Sequence, residues 1–329
     1  MKMKIKFIKI LMCVYIAVFG GVVESFAFDD DDAAAYLWKL INEARARPVA
    51  AIDAYYIDPE EARDALGADG WILELENGLP PLAWHGMLAA SSADHNRDMI
   101  ERSYYNYTSP EGIGVHDRIT AKGYDPLVTD EALGILYFYL YVEPMEAVEG
   151  IFENMLRDEL NPGLDYPKNI FGKNFTELGI SFISTQLSFE EKIFNAYIVT
   201  IDFARPVEKR SYLLGNVYSH TEYDQAYYID GVGELFVAED DFAGRLLHHN
   251  GWSPEKANDD FKMVLEIINE HWIVDLPRSA LAGYQIQMPV DTYDVYYSLN
   301  LLRGVENNLL KRVVDVGRNV NLNIDFAVD

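Results

Sequence analysis

The chain has 329 residues, of which 50% are hydrophobic and 13% aromatic, so it can bury one or two cores and is not a largely disordered protein. Its formal net charge of −26 excludes nucleic acid as a partner, because binding to a polyphosphate needs a cationic face. The same charge disfavours docking on anionic lipid, whereas cations and cationic partners remain compatible with it.

The first 27 residues predict an export signal. Lysines at positions 2, 4, 6 and 9 precede an apolar run over 10–23, and small residues lie before a cleavage point at Ala27. The alternative is a retained membrane anchor, although a spanning helix needs about 20 apolar residues. Cleavage removes four lysines and Glu24, which changes the formal charge from −26 to −29, and it removes Cys13, the only cysteine. The mature protein is then secreted or periplasmic, without a disulfide or a stable membrane span.

Helices followed by strands are predicted for the first two-thirds of the chain. Apolar residues at helical spacing and flanking prolines mark the helices, and alternating apolar residues mark the strands. The predicted helices are 33–46, 86–102 and 144–158, and the predicted strands are 178–184 and 194–203. This order predicts an α+β layered domain over 33–206.

A second domain is predicted over 211–329, after a linker at 205–210. Strands are expected at 214–218, 233–238, 293–302 and 320–328. A helix interrupts them, beginning at Ser253 and Pro254 and ending at Trp272. We therefore predict a small all-β sandwich with a helical insertion.

Several short segments, taken in their order, resemble one known family. They are LINEAR (40–45), LPPLAW (79–84), YYNYTSPEG (104–112) with DRI (117–119), NIF (169–171), TELGI (176–180) and 197–203. This order is similar to the CAP superfamily of cysteine-rich secretory, antigen 5 and pathogenesis-related proteins, in its bacterial, cysteine-free SCP-like branch. The resemblance covers about 36–204 and implies an α-β-α sandwich for the first domain.

The resemblance also implies where a cleft lies. The family's cleft holds two histidines and one or two acidic residues that bind a divalent metal. The matching positions here are Tyr107 and Tyr166 for the histidines and Glu131 for the acid, with His116 at the cleft edge. Neutral phenols are poor ligands for zinc or copper, so we expect a degenerate metal cleft that requires no cofactor. A pocket edged by aromatic residues with one carboxylate remains, unless both tyrosines only fill the volume of the histidines.

These residues predict an extracellular binding module for a glycan, a peptide or a protein partner. One alternative is a secreted hydrolase with Glu131 and His116 as the acid/base pair. No nucleophile is assigned, because no G-x-S-x-G turn surrounds a serine. The other alternative is a structural cell-surface spacer. Of the other histidines, we expect His95 to be a core residue and His85 to be exposed at a helix start.

The second domain has weak candidates for a calcium site. His220, Glu222 and Asp224 alternate ahead of the pair Gly233-Glu234, and alternating carboxylates bring oxygens around one cation. The pattern resembles the calcium loop of some bacterial surface modules, with Glu222, Asp224 and Glu234 as ligands. The alternative is a structural loop that has lost its ion.

Overall fold

The computed structural model describes residues 30–75, 78–189 and 192–220, and beyond these the segments 226–228, 233–239, 283–287, 292–299, 309–315, 321–323 and 326–328. The helices within these residues are α1 (Asp30–Ala46), α2 (Pro48–Ala54), α3 (Pro59–Leu66), a 3₁₀ helix (Gly67–Glu74), α4 (Gly86–Arg102), α5 (Val115–Ala121) and α6 (Pro144–Glu159).

Four strands of the first domain form one sheet in the order β1-β3-β4-β2. They are β1 (Ala83–Trp84), β2 (Pro126–Phe138), β3 (Glu177–Phe189) and β4 (Lys192–Pro206). The long strands β2, β4 and β3 pair antiparallel, and β1 pairs parallel to β3. Because β4 is the central strand of the three, its two faces decide how both helical layers pack.

The sheet lies between two layers of helices. Helices α1 and α6 contact each other and cover one face, and α4 covers the other. On β4, Tyr197, Val199, Ile201 and Phe203 face the larger core beneath α1 and α6. Ile198 faces the opposite way and packs on Met99 of α4. Alternate strand residues thus serve two cores, and the predicted α+β layered fold is confirmed.

Local signals account for the helix ends. Three aspartates occupy the first turn of α1, where the helix dipole favours negative charge. The Asp58 side chain caps α3 by accepting hydrogen bonds from the backbone N–H groups of Glu60 and Glu61. Pro48 and Pro144 lie at the starts of α2 and α6, where the missing N–H costs nothing. Pro48 therefore ends α1, as expected, but it also opens a further helix that we did not predict.

The predicted helices over 33–46, 86–102 and 144–158 are α1, α4 and α6, and the two predicted strands lie within β3 and β4. Strand β2 and helices α2, α3 and α5 were not predicted. Strand β2 lacks simple alternation because its middle residues, 131–134, are all buried. Its apolar run faces helices on both sides, and such a run does not show a period of two.

The second part of the chain is described only through its strands. They are β5 (Tyr212–His220), β6 (Ala226–Tyr228), β7 (Gly233–Glu239), β8 (Gly283–Gln287), β9 (Thr292–Leu299), β10 (Leu309–Asp315), β11 (Leu322–Asn323) and β12 (Phe326–Val328). Strands β7, β9 and β10 form one sheet, and β5 pairs with β6, β8, β11 and β12. The predicted strands 214–218 and 233–238 lie within β5 and β7, 293–302 overlaps β9, and 320–328 overlaps the two short strands β11 and β12. The helical insertion over 253–272 lies outside the described residues, and the sandwich and domain boundaries remain predictions.

Amide side chains from the second part bind the edge of the first sheet. Gln285 accepts a hydrogen bond from the Trp84 N–H at 2.6 Å and donates one to the Trp84 carbonyl at 2.9 Å. Asn321 donates to the carbonyls of Pro81 and Thr176. Gln285 thus takes the place of a neighbouring strand at β1 and satisfies its edge.

A second group of contacts at this junction surrounds His85. The buried Glu177 carboxylate accepts hydrogen bonds from the hydroxyls of Tyr124 and Tyr212, at 2.6 and 3.1 Å. The Arg210 guanidinium lies 3.7 Å from this carboxylate and 3.0 Å from His85 Nε2. The expectation that His85 is exposed is wrong: its ring is 7% exposed, because Tyr124 and Arg210 cover it.

The His85 ring makes the stability of the fold depend on pH. Burial, and then the Arg210 charge, lower the pKa of His85 to about 4 from its ordinary 6.5. The folded state then binds fewer protons than the unfolded state between these values. Stability is complete above pH 6.5 and is lost as the pH falls towards 4, by about 3 kcal/mol.

We expect His85→Asn to remove this part of the pH dependence, because asparagine is a good helix cap and does not titrate. The measurement is urea unfolding at pH 7 and pH 4. His116→Asn is the matched control, because it removes an exposed histidine of α5 in place of the buried one. Equal pH slopes for the wild type and His85→Asn would contradict the expected role of His85.

Candidate functional site

Glu131 is the centre of the candidate site. It lies in the middle of β2 and its side chain is 1% exposed. One carboxylate oxygen, Oε1, is 2.9 Å from His95 Nδ1 and accepts a hydrogen bond from Arg118 Nη2 at 2.5 Å. A buried carboxylate is costly unless it is paired, and these two partners supply the pairing.

His95 is fixed between α4 and the sheet. The polar side chains Ser92 and Asn96 hold α4 on the strands, since Ser92 donates to the Gly179 carbonyl and Asn96 donates to the Ser181 carbonyl. His95 is buried between these contacts, as expected for a core histidine. Its Nδ1 faces Glu131, whereas its Nε2 has no hydrogen-bond partner within the part of the chain that the structure describes.

Arg118 connects Glu131 to the loop that precedes α5. Its Nη1 donates to the carbonyls of Tyr107 and Ile113, at 3.2 and 3.1 Å, while its Nη2 donates to Glu131. Arg118 therefore fixes the loop over the carboxylate. The Glu131 carboxylate and the backbone of Tyr107 are thus bound by the same guanidinium.

Three tyrosines form the outer edge of the cleft. Tyr107 is 41% exposed, and its hydroxyl lies 3.5 Å from that of the half-buried Tyr166. Tyr105 is close to both Tyr107 and Glu131. Burial, and then the neighbouring Tyr107, raise the pKa values of Tyr105 and Tyr166, so both hydroxyls are neutral donors. We call Tyr105, Tyr107 and Tyr166 the tyrosine rim.

A polar pocket of about 330 Å³ lies between α4 and the loop 109–113. Both His95 and Arg118 contribute to its lining. Around its mouth, Arg102 forms ion pairs with Asp98 and with Glu111, whose carboxylate also accepts from Ser109 Oγ. The pocket therefore presents paired charges and hydroxyl groups to a ligand.

The hydroxyls of Tyr107 and Tyr166 lie 3.5 Å apart, and Arg118 links the Tyr107 backbone to the Glu131 carboxylate. That these residues form a ligand-binding cleft stays a prediction. His116 lies on the exposed side of α5, and no hydrogen bond joins it to Glu131 among the described residues. The partners of Glu131 are His95 and Arg118 instead. The acid/base pair of Glu131 with His116 stays a prediction without geometric support, because neighbouring positions on α5 point in different directions.

A divalent metal does not fit this cleft. The donor set would be Glu131 with the Tyr107 and Tyr166 phenols, and Oε1 of Glu131 already binds the positively charged Arg118. A second cation at the same oxygen would be repelled, and neutral phenols would not compensate. In the second part of the chain, Glu222 and Asp224 lie outside the described residues and Glu234 lies on β7. Calcium there stays a prediction.

The sequence reasoning missed two members of the site. Arg118 belongs to the segment DRI that carried the resemblance, but no role was assigned to it. Asp202 lies directly across from Glu131 on β4 and is completely buried. An aspartate on a strand whose neighbours are Ile201 and Phe203 was the available signal, since a buried charge in such a strand needs a reason.

The comparisons with known proteins agree with this fold. Residues 38–201 match the family model of the cysteine-rich secretory protein family, CAP. The chain belongs to the CAP superfamily, as the resemblance predicted. No curated protein sequence matches it. Within the described residues, no helix is long and apolar enough to cross a membrane.

Two solved structures are similar to part of the chain. One is an extracellular protein containing an SCP domain from Bacillus anthracis str. Ames, with 18% identity and a TM-score of 0.32. The match covers 54% of this chain and spans 41% of that protein. The other is an outer surface protein from Borrelia burgdorferi, with 14% identity and a TM-score of 0.31, covering 54% of this chain and 96% of that one.

Proposed function

We propose that the chain is an exported protein that binds a glycan at the tyrosine rim and the polar pocket. One observation carries the proposal: the hydroxyls of Tyr107 and Tyr166 lie 3.5 Å apart, and Arg118, which lines the polar pocket, donates a hydrogen bond to the backbone carbonyl of Tyr107. The lysines and the apolar run at the start of the chain support export.

A glycan suits this combination of groups. A sugar ring has an apolar face surrounded by hydroxyls, and a tyrosine offers a flat apolar ring with a polar tip. Arg102, Glu111 and Ser109 add donors and acceptors at the mouth of the pocket. Such sites combine apolar contact with a few placed polar groups. The net charge of −26 favours a neutral or amino glycan over an acidic one.

The test is an array of neutral, amino and acidic oligosaccharides, followed by calorimetric titration of the tightest binder. We expect Tyr107→Ala to weaken binding at least tenfold, about 1.4 kcal/mol, because the exposed stacking ring is lost. Tyr56→Ala is the matched control, since Tyr56 is 91% exposed just beyond α2, and we expect its affinity to equal that of the wild type.

Other outcomes decide between the remaining candidates. Binding of peptides instead of oligosaccharides, with the same sensitivity to Tyr107→Ala, would replace the ligand class and keep the site. Binding that is equally weakened by Tyr56→Ala would reject the tyrosine rim. A complete lack of binding to glycans, peptides and exported proteins would favour the structural spacer.

A second candidate function is hydrolysis. It is favoured by the contact of His95 Nδ1 with Glu131, because a carboxylate that orients a histidine is one part of a general base. The test is mass spectrometry of the bound oligosaccharide after prolonged incubation with the protein. Cleavage that disappears in His95→Gln but persists in His116→Gln would establish this candidate, with His95 in the role first assigned to His116.

A further inference from the structure

Asp202 and Glu131 form a buried carboxyl pair behind the pocket. They are directly opposite each other on the antiparallel strands β4 and β2, and their side chains are 0% and 1% exposed. His95 and Arg118 bind Oε1 of Glu131, but its Oε2 receives no hydrogen bond from the described residues. Both oxygens of Asp202 are likewise without a donor among these residues.

Two ionised carboxylates in this arrangement would be strongly unfavourable. Each would have given up its hydration, and each would repel the other across the strand pair. The Arg118 charge offsets one negative charge, not two. A single proton shared by the two carboxyl groups removes the repulsion. It also allows one group to donate a hydrogen bond to an oxygen of the other.

The groups around Asp202 identify which carboxyl carries this proton. Asp202 is faced by Glu131 from β2, Arg118 from α5 and Ser91 from α4, while His95 of α4 contacts Glu131. Burial, and then Glu131, raise the pKa of Asp202 well above its ordinary value, although Ser91 and Arg118 oppose the change. Among the described residues Arg118 forms its ion pair with Glu131, so Asp202 is the carboxyl group to which the proton is assigned.

We infer that Asp202 is protonated at neutral pH and donates a hydrogen bond to Oε2 of Glu131, and so acts as a positioning residue for the cleft. With Oε2 fixed by Asp202, Oε1 is held towards His95 and Arg118 on the floor of the pocket. Arg118 in turn holds the backbone of Tyr107. The hydrogen bond is a property of the free protein, whereas its effect on ligand affinity rests on the proposed function.

The first experiment is an infrared difference spectrum of the ligand-free protein against Asp202→Asn at pH 7. We expect a carbonyl stretching band of a buried, protonated carboxylic acid in the wild type that is lost in the variant. Asp53→Asn, a change of an exposed aspartate on α2, is the control and should leave that band in place. A difference spectrum without this band would overturn the inference, since the partly protonated Glu159 contributes to both proteins and cancels in the difference.

The second experiment tests positioning through rescue. Asparagine keeps an N–H donor for Oε2 of Glu131, and alanine removes it. We expect Asp202→Asn to bind the glycan within about threefold of the wild type, and Asp202→Ala to bind at least tenfold more weakly. Equal losses in the two variants would overturn the positioning role. If no glycan binds the wild type, the proposed function fails, and the infrared band still decides the shared proton.

The third experiment measures the free energy of unfolding as a function of pH. An aspartate with a purely structural role would not change this dependence. Because the pKa of Asp202 is raised in the folded state, that state holds a proton that the unfolded state releases. The stability of the wild type relative to Asp202→Asn should therefore fall as the pH rises from about 4. A difference that is independent of pH, or that grows with pH, would contradict protonation of Asp202.

Discussion

Replacement of Arg45 by methionine is expected to lower the free energy of unfolding by about 3–5 kcal/mol. The change leaves three backbone carbonyls without their hydrogen-bond donor, and it removes a positive charge near the buried carboxylate of Glu159. Arg45 is 1% exposed near the end of α1. Its guanidinium donates to the carbonyls of Pro80, Ile170 and Gly172, at 2.9, 2.7 and 3.0 Å. One side chain thus joins α1 to two separate loops.

Glu159 holds the same loop from the other side. Its carboxylate accepts hydrogen bonds from the backbone N–H groups of Asn169, Ile170 and Phe171, at 3.0, 2.8 and 2.7 Å. Burial raises the pKa of Glu159 to about 7 against these donors, and the positive charges of Lys168 and Arg45 offset part of its negative charge. Loss of Arg45 therefore removes one of two cations near a buried carboxylate.

The measurement is urea unfolding of Arg45→Met and of the matched control Arg47→Met. Arg47 is exposed two positions away, so we expect its replacement to change stability by less than about 0.5 kcal/mol. The deficit of Arg45→Met should be larger at pH 8 than at pH 6, because Glu159 is ionised above its pKa of about 7. Similar stabilities for the two variants would show that the buried guanidinium does not hold the loops together.

Replacement of Gly179 by alanine is expected to destabilise the fold by about 3 kcal/mol, at the upper end of overpacking effects. A Cβ at this position of β3 would lie 2.0 Å from the backbone nitrogen of Ala89 and 2.3 Å from the backbone carbon of Leu88. Both atoms belong to α4, so a side-chain rotation cannot relieve the clash. The helix itself must move off the sheet, and the hydrogen bond from Ser92 to the Gly179 carbonyl is lost with it.

Because α4 carries His95, we also expect Gly179→Ala to weaken ligand binding at the pocket. Gly150→Ala is the control. Its Cβ would meet only the end of the Leu136 side chain, at 2.9 Å, and alanine is the better helix residue, so its stability should stay within about 1 kcal/mol of the wild type. The measurement is the stability of the two variants by thermal unfolding. An alanine tolerated at 179 as well as at 150 would contradict the close contact of α4 with β3.

The sequence predicted the elements whose residue types repeat with the period of the element. Helix α4 was predicted over 86–102 and is observed over the same residues, because its apolar face repeats at helical spacing. Strand β4 is buried on both faces, but the alternation of the large residues Tyr197, Val199 and Ile201 with other residues still revealed it. Strand β2 was not predicted, because its buried middle residues, 131–134, show no such alternation.

The candidate site likewise contains residues that the sequence identified and contacts that only the structure shows. Glu131, Tyr107 and Tyr166 were found because the resemblance fixed their places in the family's cleft. His95 and Arg118 were known as residues but not as partners, since the contact of His95 with Glu131 joins positions 36 apart in the chain. Such hydrogen bonds depend on the register of the strands and on how the helices pack against the sheet. A local pattern of residue types does not specify either of these.

By itself, the sequence determined the family, the acidic charge and those helices and strands whose residues repeat at a regular spacing. These follow from residue types and local spacing. Only the tertiary structure decided that Glu131 is bound by His95 and Arg118, that Asp202 lies against it, and that His85 is buried beneath Arg210. The physical reason is that burial and pairing of charge depend on distances between segments, which the chain sets only when the sheet and both helical layers are assembled.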